Sequence, residues 1–366
     1  MRIAKVEAIP LSIPFTYGRE PEDWRGNPGS RLSILLVRVE TDQGLVGWGE
    51  AFSYNCLRSV KAAVEDMVAP AVIGRDAADI AGLHRDLQRG LHIFGRYGIT
   101  LFAISGLDIA LWDLAGKAAG LPLCRLLGGS PEAELTGYAS LFRYGDPEAV
   151  AEATAAALAE GYGHIKLHEV TEPAVAAARE AAGPGVPLMV DCNCPWSFAE
   201  ARAMALRLKP YDLLWLEEPI FPPEDVRALA RLQRETGVAV AAGENACTAF
   251  QFRELIEAGA VSYAQPSVTK VGGITEFRKV AALAESGAAA LMPHSPYFGP
   301  GFLASLHLAA ALPEPGLVEW FYLTREACLY GSSIAPDGGR FRVPDGPGLG
   351  LEPDPSVIRD CRVTGA

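Results

Sequence analysis

Apolar residues in the second half of the chain come in short runs, each ending on a residue able to do chemistry. GHIKLH (163–168), PLMVDCN (187–193), LLWLEEP (213–219), VAVAAGEN (238–245), VSYAQPS (261–267), AALMPHS (289–295) and GLVEW (316–320) form one series. The closing groups His168, Asp191, Glu217, Glu244, Ser267, His294 and Glu319 stand 23, 26, 27, 23, 27 and 25 residues apart. That interval holds one strand and one helix. Chemistry confined to the carboxyl ends of such strands predicts a (β/α) barrel with its active site gathered at that end. ELTGYAS (134–140) reads as the first strand, and helices are predicted over 147–160, 172–182, 197–209, 223–236, 249–259, 275–286 and 302–312. Most are Ala-rich, with an apolar stripe and a Gly or Pro near the end.

The earlier residues follow another pattern. RIAKVEAIPLSI and RLSILLVRVETD read as strands joined by YGREPEDWRGNPGS, whose Pro and Gly residues predict a loop. GLVGWGEAFSYN continues the sheet, and helices are predicted over 58–70, 76–90 and 97–119. The last is apolar on most faces and is expected to pack between domains. After the eighth barrel strand, SIAPDGGRFRVPDGPGLGLEPD predicts turns and short strands that return to the first domain. The expected division is therefore 1–123, 124–325 for the barrel, and 326–366 for the returning segment.

Composition adds exclusions. The 366 residues are 49% hydrophobic and 21% charged, enough for a large core, and the net charge of −12 argues against nucleic-acid or acidic-membrane partners. Bound cations are expected to offset part of that charge. Seven scattered cysteines suggest reduced thiols and a cytoplasmic setting. The opening MRIAKVEAIPLSIPF is interrupted by charge and predicts neither a secretory leader nor a membrane span.

Asp191, Glu217 and Glu244 end three consecutive strands. Adjacent strands lie about 4.8 Å apart, so three carboxylates at one level call for a cation. Oxygen ligands of this kind suit Mg2+, with Mn2+ open as an alternative. Glu218 alternates to the other face and reads as a salt-bridging or supporting acid. Lys166 and His168, two residues apart, project from one face of the second strand, and His294 ends the seventh. A cation beside a substrate carboxylate favours loss of the neighbouring proton, and histidine is poised to move that proton near neutral pH. His164 lies deeper and reads as structural; His84, His92 and His307 fall in helical patterns and read as packing or surface residues.

GLVGWGE (44–50), SGLDIALWDLAGKAAGLPLCRLLGG (105–129), the VDCN, LEEP and GEN strand ends, VTKVGGITE (268–276) and PDGPGLG (344–350) together resemble the mandelate racemase and muconate lactonizing group of the enolase superfamily. The resemblance covers almost the whole chain. It implies a modified (β/α)7β barrel of TIM type, an α+β capping domain built from both termini, and Mg2+ on Asp191, Glu217 and Glu244. It also implies proton abstraction beside a carboxylate by way of an enediolate, a small carboxylate substrate, and homo-oligomers. Lys166 matches a lysine that contacts the substrate carboxylate. Asn193 and Glu319 match positions that hold the ligand end and donate to the carboxylate.

Departures shape the activity. Where the group commonly has Lys-x-Lys, this chain has Lys166-Leu167-His168, so His168 takes the base position. Ser267 replaces the aspartate that orients the strand-seven histidine, which leaves His294 better suited to acid than base. Cycloisomerase and dipeptide-epimerase members carry a lysine there, and Lys270, part of the shared VTKVGG segment, is not expected to replace it. Dehydration of a sugar acid is preferred; racemisation or epimerisation is the alternative, and a carboxylate-binding barrel without turnover the third reading. A polar barrel mouth is taken to suit a hydroxylated substrate. Specificity is assigned to cap loops at Phe15–Arg25 and Ser53–Asn55, where Tyr17, Trp24 and Tyr54 are candidate substrate contacts, with Ser267, Ser140 and Tyr297 at strand ends.

Overall fold

A computed structural model describes residues 1–18 and 31–364. Strands β1 (Ile3–Thr16), β2 (Arg31–Thr41) and β3 (Val46–Ala51) form an antiparallel meander. Helices α1 (Leu57–Ala62), α2 (Ala69–Val72), α3 (Ile80–Gly90), α4 (Ile99–Ala119) and α5 (Leu123–Leu126) follow. The helix expected over 58–70 is broken by a π-turn at Ala63–Val68. Asp79 starts α3 by accepting the Gly82 N–H at 3.1 Å, and Gly120, at φ +67°, ends α4 in the left-handed region that glycine adopts without strain.

Helix α4 joins the two parts of the molecule. Gly47 and Gly49 on β3 face Gly106 and Ala110 on α4 so closely that no side chain fits between the backbones. On its far side Trp112 Nε1 donates to Thr275 at 2.9 Å, and the Gly272 N–H donates to Ser105 Oγ at 2.9 Å. This is the packing between domains expected of its apolar surface.

The barrel runs through β4 (Glu134–Ser140), β5 (Ile165–Leu167), β6 (Leu188–Asp191), β7 (Leu213–Glu217), β8 (Val240–Ala242), β9 (Tyr263–Ala264), β10 (Ala290–Leu291) and β11 (Val318–Phe321). All eight pair in parallel and in order, and β11 returns to β4. Seven helices alternate with them: α6 (Pro147–Ala159), α7 (Glu172–Ala182), α8 (Phe198–Leu208), α9 (Val226–Thr236), α10 (Thr248–Glu257), α11 (Gly273–Ser286) and α12 (Pro300–Ala309). This is the (β/α)7β arrangement. Between β10 and β11 the wall closes without ladder pairing, Gly316 lying against the Leu291 backbone where a Cβ would collide. Tyr138, Met189, Trp215 and Ala241 fill the barrel interior beneath the strand ends.

The closing segment touches the cap, then the barrel, then the cap again. Strand β12 (Thr324–Arg325) pairs with β1, whereas β13 (Arg340–Arg342) pairs with the start of β4. Glu352 then accepts the Trp48 indole N–H at 2.6 Å, and α13 (Pro355–Cys361) lies beside β1, with Val363 N–H donating to Pro10 at 2.9 Å.

Candidate active site

The strand ends form a buried charged layer under a cavity of about 820 Å3 that lies between cap and barrel. Asp191 and Glu217 are register partners on β6 and β7, and Glu244 stands in the turn just after β8. Lys166, fully buried on β5, reaches up among the acids: its Nζ lies 2.7 Å from Glu319, 3.1 Å from Glu217 and 3.6 Å from Asp191. Burial disfavours the ammonium, but Glu217 and Glu319 outweigh it and hold Lys166 well above its ordinary pKa. Lys166 thus lies in the same buried layer as Asp191 and Glu217, beneath the cavity lining.

Each acid has a distinct set of neighbours. Asp191 Oδ1 accepts both the backbone N–H of Asn193 at 2.9 Å and its amide at 3.0 Å, while Oδ2 faces His168 Nε2 at 3.3 Å. Burial would raise its pKa; His168 and Lys166 more than reverse that. Glu217 receives the Trp215 indole N–H at 2.9 Å, yet burial still lifts it to about 7 against the pull of Lys166. Glu244 pairs with His294 Nε2 at 2.8 Å; burial acts upward, but Lys270 and His294 hold this carboxyl far below the usual range. Glu319 accepts Ser140 Oγ at 2.8 Å and is also lowered, Lys166 and His294 overcoming burial.

Among the described residues no three carboxylate, imidazole or thiol groups gather around one point as they stand, because each acid is drawn to its own lysine or histidine. The donor set still fits a hard divalent ion: three carboxylates on adjoining strand ends, Asp191 and Glu217 in register and Glu244 just past β8. Glu218 is buried as well but has no salt bridge in the described structure; it accepts from Asn245 at 2.7 Å and from the Cys194 thiol at 3.4 Å. Burial, then Glu244 and Asp191, push its pKa well up. Asn193, Cys194 and Glu218 have φ of +54°, +56° and +43°, so the backbone at this rim is held in a conformation that non-glycine residues rarely adopt.

The two histidines face the cavity with opposite wiring. His168 Nδ1 lies 2.6 Å from the Leu141 carbonyl oxygen, while His294 Nδ1 lies 3.2 Å from the Tyr297 hydroxyl. Burial disfavours the His168 imidazolium, but Asp191 overrides it and raises the pKa. Ser267 does not reach the cavity: its hydroxyl is taken by that of Tyr297, which stands between it and the open space. Tyr17 and Tyr54 do line the cavity, and Trp24 lies outside the described residues.

Three contributors were missed or only partly read in the sequence, Lys270 having been named there and set aside. Arg143, just past β4, donates from Nε to the His168 carbonyl at 2.6 Å and from a terminal nitrogen to Asn193 Oδ1 at 3.1 Å. Lys270 reaches the cavity, its Nζ 4.7 Å from the Phe52 ring centre. One wall is aromatic rather than polar: Tyr17 stacks on Phe142 at 4.2 Å, and Phe142 on Phe321 at 4.8 Å. Only Arg143 left a direct trace in the sequence, a lone cation following a strand end.

A cap over a (β/α)7β barrel, with acids and imidazoles layered at the strand ends, defines the class of barrel that works on carboxylates. The chain belongs to the enolase superfamily: residues 148–357 match the model described as enolase C-terminal domain-like, and residues 27–128 match the mandelate racemase / muconate lactonizing enzyme N-terminal domain. Arabinonate dehydratase of Saccharolobus solfataricus is 34% identical, with 90% of this chain and 89% of the relative covered. D-galactarolactone cycloisomerase of Agrobacterium fabrum is 33% identical over 91% of this chain and 92% of its own length. Among solved structures, L-talarate dehydratase from Polaromonas, complexed with Mg and L-glucarate, superposes with a TM-score of 0.85 at 31% identity, covering 99% of this chain and 97% of that one.

Proposed function

We propose that the chain is a Mg2+-dependent sugar-acid dehydratase that removes the proton beside a carboxylate and expels a β-hydroxyl as water. Asp191, Glu217 and Glu244 would hold the ion, with Mn2+ as an alternative; when bound, it lowers the cost of the negative charge left by the departing proton. The observation that carries the reading is the state of His168. The Leu141 carbonyl can only accept, so Nδ1 keeps its hydrogen, and Nε2, 3.3 Å from Asp191 Oδ2, is the ring nitrogen turned to the charged layer; with Asp191 engaged by the ion, Nε2 would be the atom that takes the proton. His168 is therefore the base. His294, across the layer at the end of β10, gives a proton to the departing hydroxyl as the C–O bond breaks. Arg143 and Asn193 position the substrate's polar end, and the Tyr17–Phe142–Phe321 wall packs against its carbon chain.

The dehydratase names among the relatives and the complex of a similar protein with an acid sugar support this substrate class. Histidines facing the same layer from β5 and from beyond β10 also favour a second reading, epimerisation. Incubating the Mg2+-loaded enzyme with a panel of acid sugars in D2O separates the two. A 2-keto-3-deoxy acid is the predicted product; recovered substrate deuterated at the α-carbon, with no keto acid, would replace dehydration by epimerisation.

A further inference from the structure

Among the described residues, four side chains able to carry positive charge line the cavity, and three of them are engaged. Arg143 donates to the His168 carbonyl and to Asn193, His168 lies against the Leu141 carbonyl and Asp191, and His294 lies against Tyr297 and Glu244. Lys270 is the fourth. It is only 5% exposed, yet among the described residues its ammonium has neither a hydrogen bond nor a salt bridge. Glu244 and Glu218 feel its charge without reaching it as ion pairs.

An ammonium taken out of water is costly when no acceptor replaces the lost hydration. Two rings of the cap offset part of that cost. Lys270 Nζ lies 4.7 Å from the centre of the Phe52 ring and 5.9 Å from that of Phe102, faces that attract a cation but leave its three hydrogens without an oxygen acceptor. The turn that carries it is pinned from both sides. Phe52 N–H donates to the Thr269 carbonyl at 3.2 Å, Lys270 N–H to the Ser267 carbonyl at 3.0 Å, and Gly272 N–H to Ser105 on α4. The charge is therefore presented to the cavity at a fixed place beside the cap. It is also remote from Arg143 in the barrel order, since β9, which precedes Lys270, and β4, which precedes Arg143, are not neighbours.

We propose that Lys270 receives a second carboxylate at the far end of the substrate, so that the site takes sugar dicarboxylates in preference to monocarboxylic sugar acids. This rests on the sugar-acid reading given above and narrows it. One ammonium matches the single charge of a carboxylate, whereas a phosphate dianion would bring further negative charge toward Glu50 and Glu244 on the same lining.

Calorimetric binding tests the assignment, using full-length protein with Mg2+ present and His168→Gln as background to prevent turnover. The ligands are matched aldaric and aldonic acids of each hexose configuration, with 6-phospho-D-gluconate set beside D-glucarate and D-gluconate. At least one dicarboxylate is expected to bind about 10- to 100-fold more tightly than its monocarboxylate partner, the range for one charge-assisted hydrogen bond. Adding Lys270→Met, which keeps the apolar stem, should abolish that preference, and Lys270→Arg, which keeps the charge, should retain part of it. A merely structural role would weaken both members of a pair to the same extent. The proposal is overturned if no dicarboxylate binds more tightly than its partner, if the preference survives Lys270→Met, or if the phosphate ester binds more tightly than the dicarboxylate. Keto-acid formation is followed separately with the wild type on the same panel. Dicarboxylates bound as described but not dehydrated would leave the role of Lys270 standing and remove the dehydratase reading.

Discussion

His168 and His294 carry the same side chain, and their neighbours make them different tools. A backbone carbonyl lies against Nδ1 of one and a phenol hydroxyl against Nδ1 of the other, while Nε2 faces Asp191 in the first and Glu244 in the second. Replacing His168 by Gln keeps approximate size and removes the base. The expected result is a fall in kcat of roughly 10²–10⁴-fold and loss of hydrogen exchange at the α-carbon, read by initial rates and by NMR of substrate in D2O. At this scale the sequence is legible where position along a strand decides. The Lys166-Leu167-His168 spacing and the three acids emerge from the period alone. Tyr297 as the partner of His294 does not, because that contact depends on how the loop after β10 folds back over Ser267. Lys270 was named in the sequence and set aside, and its reach was not legible for a similar reason: its side chain leaves a glycine-rich turn and crosses to Phe52 on the cap.

Elements were read well where a cap or a break is written locally. Strand β4 and helix α7 occupy the expected residues. Helix α9 begins at Val226 rather than 223 because the Asp225 side chain accepts the Ala228 N–H at 3.0 Å and makes Asp225 the N-cap. Helix α12 begins at Pro300, whose fixed φ suits a first turn. The near-contact of β3 with α4 rests on glycines, which gives a stability test. A Cβ at Gly49 would fall 2.9 Å from Ala110 N and closer still to the Gly106 carbonyl. Gly49→Ala should cost at least about 2 kcal/mol in a urea unfolding experiment, since neither backbone can yield. A second test concerns His307 on α12, buried with its Nδ1 accepting the Cys124 N–H at 3.2 Å. Burial lowers its pKa from the usual 6.5 to about 4. Unfolded chains therefore bind the extra proton between those values, and stability falls as pH drops through that window, by up to about 3 kcal/mol. His307→Gln should flatten this part of the stability profile relative to wild type, measured by urea midpoints at pH 7 and pH 4.5.

For the molecule as a whole, the regular spacing of strand ends revealed the barrel, and the mixed first third revealed the cap. What spacing could not reveal is how the two meet. Gly316 closes the barrel by contact alone, β12 and β13 send the closing segment to β1 and to β4 in turn, and the cavity acquires an aromatic wall from residues of the cap, β11 and the end of β4. These depend on surfaces far apart in sequence. The net charge of −12 foreshadowed an acidic centre, and in the fold part of that charge is balanced by Lys166, His168 and His294. Calorimetric titration of metal-free protein with Mg2+ tests this centre most directly. One ion per chain is predicted for wild type, with binding preserved in His168→Gln and weakened at least about 100-fold, some 3 kcal/mol, in Glu217→Gln. Unchanged Mg2+ binding in Glu217→Gln, or no binding in wild type, would contradict the account.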